Sequence, residues 1–189
     1  MDIQISDELK KNVFILIRNE IASDLGLRIN DNVTIDDPIL DEKYGAFVTL
    51  HIHGQLRGCI GFIVGYRPLR ETLSELSKLA AFKDPRFPPL SVDEYDDIDI
   101  EVSILSPIQN LGSPEDIVIG KHGLIIKKGF KSGLLLPQVA TENNWQREQF
   151  LSHTCLKAGL PPDAWKDKDT ELQYFTAYVF GEKEISGVK

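Results

Sequence analysis

A thiol, a guanidinium and two glycines fall together in the run Leu-Arg-Gly-Cys-Ile-Gly at residues 56–61, directly after a segment that carries His51 and His53. Cysteine attacks as the thiolate, which a neighbouring cation or imidazole favours, so the run reads first as a nucleophile with its helpers. On an extended strand Arg57 shares a face with Cys59 and is the candidate for holding an anionic group of a substrate. Gly58 and Gly61 leave backbone amides open to a ligand or a developing oxyanion. A structural reading stands beside this one, since free cysteines are often small core residues and glycines relieve a close crossing of chains.

His51 and His53, two residues apart, project to one side of a strand, as a base and its orienting neighbour or as two ligands of one metal. No third ligand lies nearby in sequence, so no metal site is expected. The run Asp84-Pro85-Arg86-Phe87-Pro88-Pro89 excludes regular helix, because proline lacks a donor and pushes its predecessor toward extended geometry. Asp84 and Arg86 on that stiff loop either fix a polar group of a substrate or pair with each other to lock the loop. Glu101 is a further candidate base if a neighbouring strand buries it. His122 reads as a turn residue, and His153 and Cys155 point to different faces of one helix. The chain carries no GxSxG, HExxH, phosphate-loop or dinucleotide fingerprint, and no cofactor is called for.

These groups need elements to position them. Ser6 caps a helix whose apolar residues Leu9, Val13, Phe14, Ile17 and Ile21 recur at helical spacing as far as Gly26. After a short extended piece at Val33 to Ile35, residues 44–53 alternate, with Ala46, Val48, Leu50 and Ile52 on one face and Phe47, Thr49, His51 and His53 on the other. Gly54-Gln55 then reads as a two-residue turn and 56–61 as the returning strand. That register sets 53 against 56 and 50 against 59, so Cys59 is expected on the Leu50 face, and a slip of one residue reverses the faces. A second helix opens at Pro68 and ends near Lys83, and a strand over Ile98 to Ile104 carries an acidic face through Asp97, Asp99 and Glu101. Short strands are expected at 117–119, 123–128 and 133–136, the last two joined by residues 129–132. A helix over 145–158 and a closing strand over 172–181 complete the pattern. Hairpins separated by helices predict an α+β fold with a mainly antiparallel sheet flanked by helices.

One domain covering 1–189 is expected from the length, with a smaller lobe drawn from about 27–42 and 83–97. A hydrophobic share of 42% and a charged share of 26% are those of a folded globular chain rather than a disordered one. A net charge of −8 disfavours direct nucleic-acid binding, which draws its affinity from basic side chains on phosphates. The best basic cluster, Lys127, Lys128 and Lys131, reads as a solvated hairpin. The start Met-Asp-Ile-Gln-Ile has no signal-peptide character and no run approaches a membrane span, so a cytoplasmic protein with two free thiols and no membrane partner is expected.

Four stretches, Leu-Arg-Gly-Cys-Ile-Gly at 56–61, Asp-Pro-Arg-Phe at 84–87, Leu-Pro-Gln-Val-Ala at 136–140 and His-Thr-Cys-Leu-Lys-Ala-Gly-Leu at 153–160, together resemble the AMMECR family over nearly the whole chain. The resemblance implies an α+β fold of a larger and a smaller subdomain with a cleft near the first motif. It implies a site at Arg57, Gly58, Cys59 and Gly61, a biochemistry without an agreed reaction, and association with Memo-like and radical SAM proteins in a modification pathway. Two functions follow as expectations: a group-transfer or hydrolytic enzyme using Cys59, or a non-catalytic binding module for a protein or a nucleotide-derived ligand.

Overall fold

The structure, a computed structural model, describes residues 5–29 and 36–185. Along the chain come α1 (Asp7–Asp24), β1 (Gly45–Ile52), β2 (Gln55–Phe62), α2 (Leu69–Phe82), β3 (Ile98–Leu105), β4 (Gln109–Asn110), β5 (His122–Lys128), β6 (Lys131–Leu135), α3 (Pro137–Glu142), α4 (Arg147–Lys157) and β7 (Glu171–Gly181). The fold is α+β, and the β1–β2, β1–β3, β4–β7, β5–β6 and β5–β7 pairings are all antiparallel. Among the described residues no helix is long and apolar enough to cross a membrane.

The chain divides into two compact units, one from the described residues up to Leu105 together with those from Tyr178 onward, the other Ser106–Ala177. The described parts of segments 27–42 and 83–97 fall in the first unit. The extended piece expected at Val33 to Ile35 lies outside the described residues.

In the first unit the strands run in the order β2-β1-β3, which leaves β2 at the edge. Ala46, Val48 and Leu50 of β1 and Ile98, Ile100, Val102 and Ile104 of β3 are buried on one face, against Val13, Phe14, Ile17 and Ile21 of α1 and Leu69, Leu73, Leu76 and Ala80 of α2. Each such aliphatic side chain removed from water stabilises the unit by roughly 2 kcal/mol, so the alternation alone commits the opposite, polar face outward. Ser6 caps α1 by accepting a hydrogen bond from the Leu9 amide (3.1 Å). Deep in this unit Arg18 of α1 pairs through Nε and Nη2 with Glu182, which also accepts from the Ile100 amide (3.3 Å), tying α1 and β3 to the segment after β7.

The second unit packs α4 onto β5 and β6 around Leu124, Ile126, Phe150, Leu151 and Cys155. Two expectations are corrected here. Residues 117–119 form no strand, because the preceding Ser113-Pro114 opens a 3-10 turn over Pro114–Asp116; the extra strand is β4, which pairs with β7. The hairpin loop between β5 and β6 is the two residues Gly129-Phe130, Gly129 taking φ 58°, rather than four. Of the lysines of this hairpin, Lys128 is neutralised, its Nζ 2.6 Å from Asp167 and 3.0 Å from Asp169, while Lys131 Nζ donates to the Gly159 carbonyl (2.7 Å).

Candidate functional site around Cys59

β1 ends at Ile52 and β2 begins at Gln55, so the turn is His53-Gly54 and not Gly54-Gln55. Both central residues have positive φ, 51° and 77°, the signature of a type I′ hairpin turn, whose twist matches that of the strands. His53 therefore sits exposed at the turn, off the strand, and does not share a face with His51 as its spacing predicted. The pairing then runs Ile52↔Gln55 and His51↔Leu56, passes a bulge, and continues Leu50↔Gly58, Thr49↔Cys59 and Val48↔Ile60. Arg57 is the extra residue. Without the bulge Cys59 would face Val48 and the hydrocarbon core; the bulge rotates it by one position onto the polar face beside Thr49. The expected alignment of Cys59 with Leu50 is corrected in the same step.

Cys59 is half-buried, and its Sγ lies 3.2 Å from Thr49 Oγ1. Its own amide donates not to β1 but outward, to Asp84 Oδ2 (2.8 Å), and its carbonyl accepts from Arg86 Nη2 (3.2 Å). Thr49↔Cys59 is thus a non-hydrogen-bonded pair, the arrangement in which opposed side chains come closest. On the other side of β1, Thr49 stands opposite Glu101 and His51 opposite Asp99. A row Cys59, Thr49, Glu101 accordingly crosses β2, β1 and β3 on one half-buried face, with His51 and Asp99 in the next row.

Asp84 is 4% exposed and satisfies the edge of β2 as a missing strand would, with its carboxylate held by Arg86 Nε (2.9 Å), Arg86 Nη2 (2.7 Å) and the Arg86 amide (3.1 Å). The Arg86 side chain, then the Cys59 and Arg86 amides, hold the Asp84 carboxyl well below the usual carboxylate range against the opposing effect of burial. Arg57 is likewise committed, donating through Nε and Nη2 to Glu94 (2.7 and 3.0 Å). That pairing, followed by hydrogen bonds from Ser91, lowers Glu94 to about 2. Phe87 has both guanidinium carbons within 6 Å of its ring centroid, Arg57 at 5.9 Å and Arg86 at 5.5 Å, so it locks the two pairs side by side.

The glycines are filled by the protein itself. A Cβ at Gly58 would come within 2.2 Å of the Ala80 carbonyl oxygen of α2, and one at Gly61 within 2.2 Å of the Phe47 ring. Among the described residues no group of His, Cys, Asp and Glu is arranged to hold a metal ion.

Comparison with known proteins decides the affiliation. The AMMECR1 family model matches residues 15–180. The chain belongs to the AMMECR1 family. A protein from Thermococcus onnurineus is 51% identical over 160 residues, covering 79% of this chain and 78% of its own length. One from Methanothermobacter thermautotrophicus is 47% identical over 165 residues, covering 82% and 86%. The crystal structure of an uncharacterised protein from Pyrococcus horikoshii is similar with a TM-score of 0.81 at 42% identity, over 95% of this chain and 94% of that one.

Of the four AMMECR1-family stretches, 56–61 and 84–87 meet at the Cys59 backbone, whereas 136–140 and 153–160 build the second unit. There His153 stacks on Trp145 with ring centroids 3.8 Å apart, and Cys155 is fully buried, which pushes its thiol up. Three participants, Thr49, Glu94 and Phe87, are not among the site residues expected from the sequence. Thr49 was legible as the next residue along the His51 face. Glu94 and Phe87 carry no local signal of their contacts with Arg57.

Proposed function

We propose that this chain is a cysteine-dependent enzyme of group transfer or hydrolysis, with Cys59 as nucleophile. The observation that carries the reading is the bulge at Arg57, which turns the thiol out of the core and sets it 3.2 Å from a threonine hydroxyl. Cys59 gives its proton to His51, one row along the same face, while Thr49 Oγ1 donates to the sulfur as negative charge gathers there. The sulfur electron pair forms an S–C bond with an electrophilic carbonyl carbon, and the leaving group departs with its bonding pair and takes the proton from His51. Water in hydrolysis, or an acceptor amine or hydroxyl in transfer, then breaks the S–C bond and returns the proton to the thiol. Asp84 and Arg86 are positioning residues that hold the Cys59 backbone. Arg57 pins the bulge to Glu94, and Gly58 and Gly61 let the strand lie against α2 and Phe47. Two free thiols accord with a cytoplasmic setting, and the association with Memo-like and radical SAM proteins implied by the resemblance accords with a modification pathway.

Alkylation of the folded protein with iodoacetamide, with the sites located by mass spectrometry, tests the nucleophile. Cys59 is expected to react at least about tenfold faster than the buried Cys155, since only an accessible thiolate is nucleophilic. Equal, slow labelling of both would sink the covalent mechanism. The filled glycines and the two spent arginines favour a second reading, in which the motif is architectural and the polar face is a non-catalytic binding surface for a protein or a nucleotide-derived ligand. Under that reading Cys59→Ser keeps whatever the wild-type protein captures.

A further inference from the structure

The charges around the thiol do not cancel evenly. Arg86 is spent on Asp84 and Arg57 on Glu94, each through two nitrogens, and Asp99 is met by Lys183 Nζ at 2.8 Å. Glu101 is different. It is half-buried, it stands opposite Thr49 in the same row as Cys59, and among the described residues it has neither a hydrogen-bond nor an ion-pair partner. The one net charge that the row presents to a ligand is therefore negative, whereas the arginines in the motifs suggested a site for anions. A carboxylate without a partner in the protein gains most from a donor that carries positive charge.

We infer that the substrate or ligand of this face carries an ammonium or similar cationic donor group, bound by Glu101, with its reacting carbon next to Cys59. The inference rests on Cys59 being the reactive group. Adjacent paired strands set the Cys59 and Glu101 Cα atoms at most about 10 Å apart, so the cation and the reacting carbon are separated by only a few bonds. An amine-bearing acyl compound of small size meets both requirements. A phosphate or carboxylate in the same place would meet Glu101 with like charge, and each guanidinium nearby is already paired with a carboxylate.

Three methanethiosulfonate reagents test this without knowledge of the substrate, each forming a disulfide with the thiol and releasing methanesulfinate. The neutral methyl reagent measures access to Cys59, and the trimethylammonium-ethyl and sulfonato-ethyl reagents measure charge preference, with labelling at Cys59 followed by mass spectrometry. The ratio of cationic to anionic rates in the folded protein is expected to exceed the ratio in the urea-unfolded chain by about 25-fold, because one unit charge at contact distance in water speeds the cation about fivefold and slows the anion about fivefold. Glu101→Gln is expected to return it to the unfolded value, and in the wild type added salt is expected to shrink it. A folded ratio at or below the unfolded one, or a preference that survives both Glu101→Gln and high salt, overturns the inference. If the neutral reagent leaves Cys59 unlabelled, the nucleophile itself fails; ready neutral labelling without charge preference removes only the cationic substrate.

Discussion

Asp84 shows how one buried carboxylate sets the geometry of a thiol it never touches. It accepts the Cys59 amide and two guanidinium nitrogens, so the strand edge, the Asp-Pro-Arg loop and the nucleophile share one anchor. Asp84→Asn keeps the shape but supplies one neutral oxygen in place of two charged ones, and it turns a donor toward Arg86. Losing charge-assisted bonds at a buried position costs about 3 kcal/mol. Urea unfolding should show that loss with an unchanged slope, and iodoacetamide labelling of Cys59 should change in rate while Cys155 stays protected. A variant of wild-type stability would mean that Asp84 is not the anchor.

At the scale of elements, the decisive feature is one surplus residue in β2. The alternation of β1 and β3 made both faces of the sheet legible in sequence, because burial on one side imposes a period of two, and the α1 and α2 stripes followed from their own period. The bulge was not legible, since nothing in the types of residues 54–58 distinguishes a continuous ladder from one that skips Arg57. The face on which Cys59 lies depends on that single step. What holds the bulged strand in place is the fit of α2 against Gly58, where the Ala80 carbonyl occupies the volume of a side chain. Gly58→Ala sets its Cβ 2.2 Å from the Ala80 backbone carbonyl oxygen, a contact that no rotamer relieves. The substitution should destabilise the first unit by about 3 kcal/mol, read as a lower denaturation midpoint. A loss below about 0.5 kcal/mol, the size of an ordinary surface change, would show that α2 can retreat without cost.

For the molecule as a whole, the division at Leu105 and Tyr178 escaped the sequence reading because no linker marks it: β3 runs straight into Ser106, and β7 continues through the boundary as one strand. The two carboxylates whose folded values lie furthest below their ordinary ones, Asp84 and Glu94, belong to the first of the two units. Asp84 and Glu94 both have folded pKa values below those of the unfolded chain, near 3.9 and 4.3. The unfolded state therefore takes up protons first as pH falls. The stability these groups contribute is complete above about pH 5 and is lost as pH drops through the folded values, about 2 for Glu94 and lower for Asp84. Glu94→Gln removes the Arg57 ion pair at every pH, so it is less stable than wild type at pH 7. The gap between the two proteins should close as pH is lowered from about 5 toward 2, because the wild type then loses by protonation what the variant never had. Denaturation midpoints measured at pH 7, 5, 4 and 3 would show the convergence. A constant gap across that range would mean that Glu94 is not held ionised by Arg57, and that the bulged strand owes its position to the Asp84 anchor and to packing against α2.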